Sequence, residues 1–340
     1  MTRRAAVFHV GETAKVLSMG DRILDGDYRV HSRFRHVVNL RDGRQLVSLV
    51  ARWVGAGPIN LVLSRFDPGT VRSLSVGRSS VRLNGAPLDP GSTEIYDSSI
   101  RLNGEPLDLS SAAVYRSSID VRACERRTLE RNARLAAALL KRWAPPESLA
   151  FLIDADRPAR RESGFAGALR RHLTACARDI FCGDMLRGAR RMSGCGVGLT
   201  PSGDDFLVGL MLALHVVEQA VGRSLEPERH ALHRAAGPSG LLAETFLGLA
   251  LEGRAFEKMR KLVVSLAAGE PGDLADAVDD VLTVGATSGA DAAVGLCLGV
   301  DRGLRGWPRS RPAGAHREAG DRLLADGRCG SAGAKEALWS

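Results

Sequence analysis

The chain has 340 residues, 44% of them hydrophobic and 25% charged, enough apolar content to bury a full core and too much for a disordered polymer. Its six cysteines include no Cys-x-x-Cys pair, which argues against a structural zinc site and against a disulfide framework. The net charge of +8 comes from 42 arginines and 5 lysines scattered against 39 acidic residues. Aromatic residues make up only 5%, and no basic strip interleaved with aromatics is present, so a small anionic substrate fits better than nucleic acid.

The N-terminal MTRRAAVFHVGETAK is too briefly apolar for a signal peptide, and Phe206 to Val217, the longest apolar run, falls well short of the ~20 residues that cross a bilayer. These features read as a cytoplasmic chain with reduced thiols and no membrane segment.

From about Val30 to Val121, short apolar stretches (HVVNL, QLVSLVARWV, INLVLSRF) alternate with turn dipeptides such as Asp42-Gly43, which is strand punctuation. A tandem repeat of period 19 lies within it, RSSVRLNGAPLDPGSTEIY at 78–96 followed by DSSIRLNGEPLDLSSAAVY at 97–115. Each copy carries Asn-Gly, both residues of which tolerate positive φ, so each predicts a tight hairpin.

At Glu125 the pattern turns helical. Leu129, Leu135, Leu139 and Leu140 recur in a segment that stops at Pro145-Pro146, and helices are expected at about 163–182, 203–221, 226–236, 240–252, 254–268, 273–283 and 289–299. The expected fold class is therefore α+β: a mainly β domain at 1–124, a mainly α-helical domain at 125–300, and an Arg/Gly/Pro-rich, poorly ordered tail at 301–340.

The densest chemical signal is SGCGVGLTPSGDDFLVGLMLAL at 193–214. Gly194, Gly196 and Gly198 let backbone approach a ligand. Thr200 reads as an N-cap with Pro201 in the first helical position, leaving free backbone N–H groups at the helix start to face whatever the loop admits, with Ser202 and Gly203 among the candidate binding residues. Asp204 and Asp205 complement the helix dipole in the first turn. No lysine follows the glycines as a Walker loop requires. Arg190 and Arg191 precede the loop as candidate clamps for a carboxylate or phosphate.

Part of this motif recurs 86 residues later, where 202–212 align without gaps on 288–298 with seven of eleven positions identical. The alignment pairs Ser202 with Ser288, Gly203 with Gly289, Asp205 with Asp291 and Gly209 with Gly295. Two such helices packed together would aim both aspartates at one pocket, with Thr287 just before the second. His31 and Ser32, at the head of VHSRFRHVVNL, are further candidates on a strand.

VHSRFRHVVNL at 30–40, GVGLTPSGDDFLVGL at 196–210 and TSGADAAVGL at 287–296 resemble the motifs of a bacterial family typified by AllH, a subunit of the oxamate carbamoyltransferase of anaerobic allantoin breakdown. The resemblance implies a subunit that works with AllF-like and AllG-like proteins on oxalurate and phosphate, giving oxamate and carbamoyl phosphate; no cofactor is expected. In that setting Asp205 and Asp291 would accept from a carbamoyl NH2, the helix-start N–H groups would stabilise its carbonyl oxygen, and Arg190 or Arg191 would hold the anionic groups. Two other readings remain open from the residues alone: a hydrolase in which Asp204, Asp205 and Asp291 hold a divalent metal, and a metabolite-binding scaffold subunit without activity of its own.

Overall fold

The computed structural model describes residues 15–79, 97–154, 164–237 and 239–307. Most of the first repeat copy, with its Asn84-Gly85, and the tail from 308 onward lie outside the described residues. The layout is α+β. Among the described residues nine strands between Val16 and Tyr115 form one sheet, and nine α-helices follow between Arg126 and Leu304. The chain divides into two compact units, 1–117 joined by 255–257, and 118–254 joined by 258–340.

In the first unit the strands are β1 (Val16–Gly20), β2 (Gly26–Arg33), β3 (Val37–Asp42), β4 (Gln45–Ala51), β5 (Asn60–Leu63), β6 (Ser73–Ser79), β7 (Asp97–Leu102), β8 (Glu105–Pro106) and β9 (Ala113–Tyr115). Their order across the sheet is β8-β7-β6-β2-β3-β4-β5-β1-β9. Strand alternation sorts the side chains: Val38 and Leu40, Val47 and Leu49, and Leu61 and Leu63 share one buried core with Tyr28 and Leu74. The intervening positions place Ser32, Asn39, Ser48 and Asn60 in register across β2 to β5. The Asn-Gly expectation for the second repeat copy is met at the β7–β8 turn, where Asn103 has φ 54° and Gly104 φ 87°. Ala255–Glu257 belongs to this unit because Ala255 N–H donates to Ser117 O, Tyr115 Oη to Ala255 O, and Ala56 N–H to Glu257 Oε2.

The second unit begins with Ser118–Cys124, which Val121 N–H ties to Gln219 and Ile119 N–H ties to Gly253 O. Its helices are α1 (Arg126–Trp143), α2 (Phe165–Cys182), α3 (Met185–Met192), α4 (Ser202–Val221), α5 (Glu226–Ala236), α6 (Leu241–Leu251), α7 (Glu257–Ala268), α8 (Pro271–Leu282) and α9 (Ser288–Leu304). Helix α1 buries Leu129, Asn132, Ala133, Ala136, Ala137 and Leu140, one helical face, and the buried Asn132 amide donates to the carbonyls that end α7. Two expectations need correction. Helix α3 was not foreseen, and α9 runs past 299 to Leu304, because its last turn still buries Leu304 and carries an Asp301–Arg305 pair at 3.1 Å.

Helices α4 and α9 form the centre of this unit. Thirteen residues of α4 and fifteen of α9 are buried, nearly all round, as expected of core helices. They run side by side in the same direction, as the glycine contacts show. A Cβ on Gly209 would stand 1.8 Å from Ala292 O, and one on Gly295 would stand 2.1 Å from Phe206 O. Further along, Gly303 of α9 meets Val217 of α4. Only hydrogen at positions 209 and 295 permits this approach. Residues 206, 209 and 210 correspond to 292, 295 and 296 in the sequence alignment, so the pair has an approximate two-fold relation with the axis along the helices.

Candidate functional site

The glycine loop connects α3 to α4. Asp184 caps α3 by accepting from Arg187 N–H at 3.0 Å, and the helix ends where Ser193 N–H closes on Ala189 O. Gly194, Gly196 and Gly198 then take φ of 73°, 131° and 103°. Gly196 has a double reason to be glycine: its φ is positive, and a Cβ there would meet Ser202 N at 2.5 Å. Val197, 79% exposed, forms the loop's tip with Gly198 and Leu199.

Asp204 holds the loop in place. Its Oδ1 accepts from Ser193 Oγ at 3.0 Å and Gly194 N at 3.1 Å, and its Oδ2 from Gly194 N at 3.2 Å and Ser239 Oγ at 2.6 Å. The carboxylate is 6% exposed, so donors from the loop and from the α5–α6 connection replace its lost water. Ser239 lies 35 residues away and carries no sequence signal of this role.

Asp205 is one helical step further round and turns into the α4–α9 seam. It accepts from the hydroxyls of Ser288 and Thr200. Asp291 does the reciprocal thing, accepting from Ser202, from Thr287 and from Leu149 N–H at 2.6 Å. Each helix start thus lends a serine to the other's aspartate. Burial pushes the Asp205 carboxyl up to about 8, with the charges of Asp291 and then Asp204 adding to it against the hydroxyl bonds. Burial likewise raises Asp291 to about 6, against its three hydrogen bonds. The Oδ2 atoms of both are buried without a hydrogen-bond partner among the described residues.

Several expectations need revision at this point. The helix begins at Ser202 with Pro201 in the capping position, so Thr200 is not the N-cap; its hydroxyl lies 3.2 Å from Ser288 Oγ instead. Three of the first-turn N–H groups are not left for a ligand: Gly203 donates to Cys195 O, and Asp204 and Asp205 both donate to Pro201 O. The loop curls back over the helix start and takes the Gly203 N–H. Among the described residues, the N–H groups of Val197, Gly198 and Leu199 make no hydrogen bond. Arg191 is engaged with Asp179 of α2 at 2.6 Å, while the exposed Arg190 forms no ion pair among the described residues. Cys195 donates to Arg191 O, and burial raises its thiol, so it is not an activated nucleophile.

Gly289 packs against Val281 O, where a Cβ would come within 1.9 Å, and so fixes the entry to α9. Ser32 lies in the first unit, where its Oγ accepts from Asn39 Nδ2 at 3.0 Å and sits 3.2 Å from His31 Nδ1, part of the polar row across β2 to β4. Among the described residues no group of three or more His, Cys, Asp or Glu is placed to hold a metal ion. Asp204 faces the loop while Asp205 and Asp291 face the seam, so these three do not converge. No helix of the described residues is long and apolar enough to cross a membrane.

Fold and site together define a two-unit α+β protein whose helical unit holds a glycine loop on an internally duplicated pair of carboxylate-bearing helices. Residues 192–300 match the protein family described as oxamate carbamoyltransferase subunit AllH, about a third of the 340-residue chain, spanning the loop and α4 through most of α9. The resemblance read from GVGLTPSGDDFLVGL and TSGADAAVGL falls inside that span. No solved structure matches the chain.

Proposed function

We propose that the chain is one subunit of a carbamoyltransferase that converts oxalurate and phosphate to oxamate and carbamoyl phosphate, working with AllF-like and AllG-like subunits. The observation that carries this reading is the loop Ser193–Thr200, fixed by Asp204 inside the segment that matches the AllH family. Asp204 anchors the loop's first two residues, Ser193 and Gly194, and an anchored turn that presents backbone N–H groups suits the stabilisation of a developing oxyanion. In this reading the N–H groups of Val197, Gly198 and Leu199 face the carbamoyl oxygen, and Arg190 meets the oxalurate carboxylate or the phosphate. The loop supplies most of the donors, because the N–H groups of Gly203, Asp204 and Asp205 are already bonded.

The exposed tip of the loop, with Val197 and Leu199 open to solvent, suits a site completed by another subunit. The chain alone is therefore expected to give little or no carbamoyl phosphate from oxalurate and phosphate, and to support turnover once both partner subunits are added. Full turnover by the lone chain would contradict the need for partners. Absence of turnover with authentic partners would contradict the substrate.

A further inference from the structure

Three carboxyls lie within the first turns of α4 and α9, and no arginine, lysine or histidine hydrogen-bonds to any of them among the described residues. Asp204 is satisfied by four hydrogen bonds, three from the glycine loop and one from Ser239. The other two face the seam, where the start of each helix offers roughly half a positive charge. Two parallel helix starts therefore balance about one carboxylate and not two. Asp205 and Asp291 are 6% and 0% exposed, and each leaves Oδ2 without a partner among the described residues. Two anions in such a place would each leave one oxygen unsolvated and would repel one another.

We propose that Asp205 and Asp291 share the seam as a pair carrying one proton, and that this proton, held on Asp205, is the acid that reaches the leaving nitrogen during carbamoyl transfer. The delivery step rests on the proposed carbamoyl reaction; the pair itself does not. Asp205 is the protonated member because it has only hydroxyl donors, Ser288 and Thr200, with the like charges of Asp291 across the seam and Asp204 beside it. Asp291 keeps its charge because the backbone N–H of Leu149 donates to it at 2.6 Å in addition to two hydroxyls. Of the elements packed here, the 3-10 turn Leu149–Leu152 and the loop contribute neutral donors only. The shifts of both groups, to about 8 and about 6, agree with this division.

Thr200 supplies the route: its hydroxyl donates to Asp205 when that carboxyl is ionised, and accepts from it when protonated, turning its own hydrogen toward the loop. Its hydroxyl bonds Asp205, lies 3.2 Å from Ser288 Oγ, and is half-buried at the end of the glycine loop. In the reaction a phosphate oxygen of HPO4 2− bonds to the carbamoyl carbon and the C–N bond to the oxamate nitrogen breaks. That nitrogen leaves with the electron pair and takes the proton relayed from Asp205. The proton lost by the phosphate then restores Asp205, so the turnover is neutral in protons. An amide nitrogen is a poor leaving group without such an acid.

The test uses the full chain with 13C-labelled aspartate side chains, followed by NMR across pH 4 to 9.5. One carboxyl is expected to titrate near 8 and another near 6, with the upper transition absent in Asp205→Asn. Ser288→Ala, which removes a donor to the ionised form, is expected to move the upper midpoint higher, so the assignment holds even if the Asn variant does not fold. The pair is overturned if every aspartate has finished titrating below pH 5, or if the upper transition survives in Asp205→Asn. In the reconstituted complex, wild-type kcat is expected to fall as pH rises through 8, and Asp205→Asn to lose about a hundredfold in kcat. An Asn variant at full rate overturns the delivery step. A pair that titrates as stated in a complex that makes no carbamoyl phosphate overturns the carbamoyl reading and leaves the pair standing.

Discussion

The starts of α4 and α9 are two versions of one design, and what they do not share is more informative than what they do. Ser202 and Ser288, Asp205 and Asp291, and Gly209 and Gly295 occupy equivalent places and serve equivalent ends, crossed hydroxyl–carboxyl bonds and a close helix approach. The first copy alone has Asp204, where the second has the buried Ala290, and the first alone has the glycine loop for Asp204 to hold. The symmetric residues build the seam. The asymmetric ones, Asp204, the loop and its brace Ser239, have no packing purpose that the second copy needs, and under the proposed function that contrast points to the start of α4, where Asp205 also stands.

The comparison breaks most visibly at the glycines. Gly209→Ala puts a methyl 1.8 Å from Ala292 O, and Gly295→Ala puts one 2.1 Å from Phe206 O. Backbone atoms cannot rotate away, so each variant should lose about 3 kcal/mol in denaturant unfolding, at the upper end for overpacking. A variant with an unchanged midpoint would mean that the helices do not pack as closely as described.

A smaller effect sharpens the roles of the symmetric carboxyls. Asp205 and Asp291 have folded pKa values raised to about 8 and about 6 from 3.8. The folded chain therefore binds protons that the unfolded chain has released. Their contribution to stability is full below pH ~4 and is lost as pH climbs through 6 and then 8. The melting temperature should accordingly fall across that window, and Asp205→Asn, which has no charge to bury, should flatten the part between 6 and 8. An unchanged slope in the variant would remove Asp205 as the source.

Much of this was legible in the sequence. The switch at Glu125, the Asn103-Gly104 turn, the ungapped match of 202–212 to 288–298 and the core helix that follows Pro201 all express local periodicity or turn chemistry. Helix α3 escaped because its eight residues, MLRGARRM, offer apolar anchors only at Met185, Leu186, Ala189 and Met192, interrupted by Gly188 and three arginines. Gly188 is there because a side chain would strike Cys176 O of α2, a tertiary reason that no local pattern reports. The separate duties of Asp204 and Asp205 follow from their being adjacent on a helix, about 100° apart, so that one faces the loop and the other the seam. What lay on either side depended on partners distant in sequence, Ser239 and Ser288, and could not be read from the motif itself.

The central claim is that the loop anchored by Asp204 receives the carbamoyl group and the seam beside it supplies the proton from Asp205. The most direct measurement is carbamoyl phosphate formation from oxalurate and phosphate by the complete complex containing Asp204→Asn, beside the melting temperature of the same variant. Loss of charge weakens bonds worth ~1.5–3 kcal/mol each. The account predicts a rate reduced at least tenfold in a chain that still folds cooperatively. An Asp204→Asn complex that turns over at the wild-type rate would contradict it.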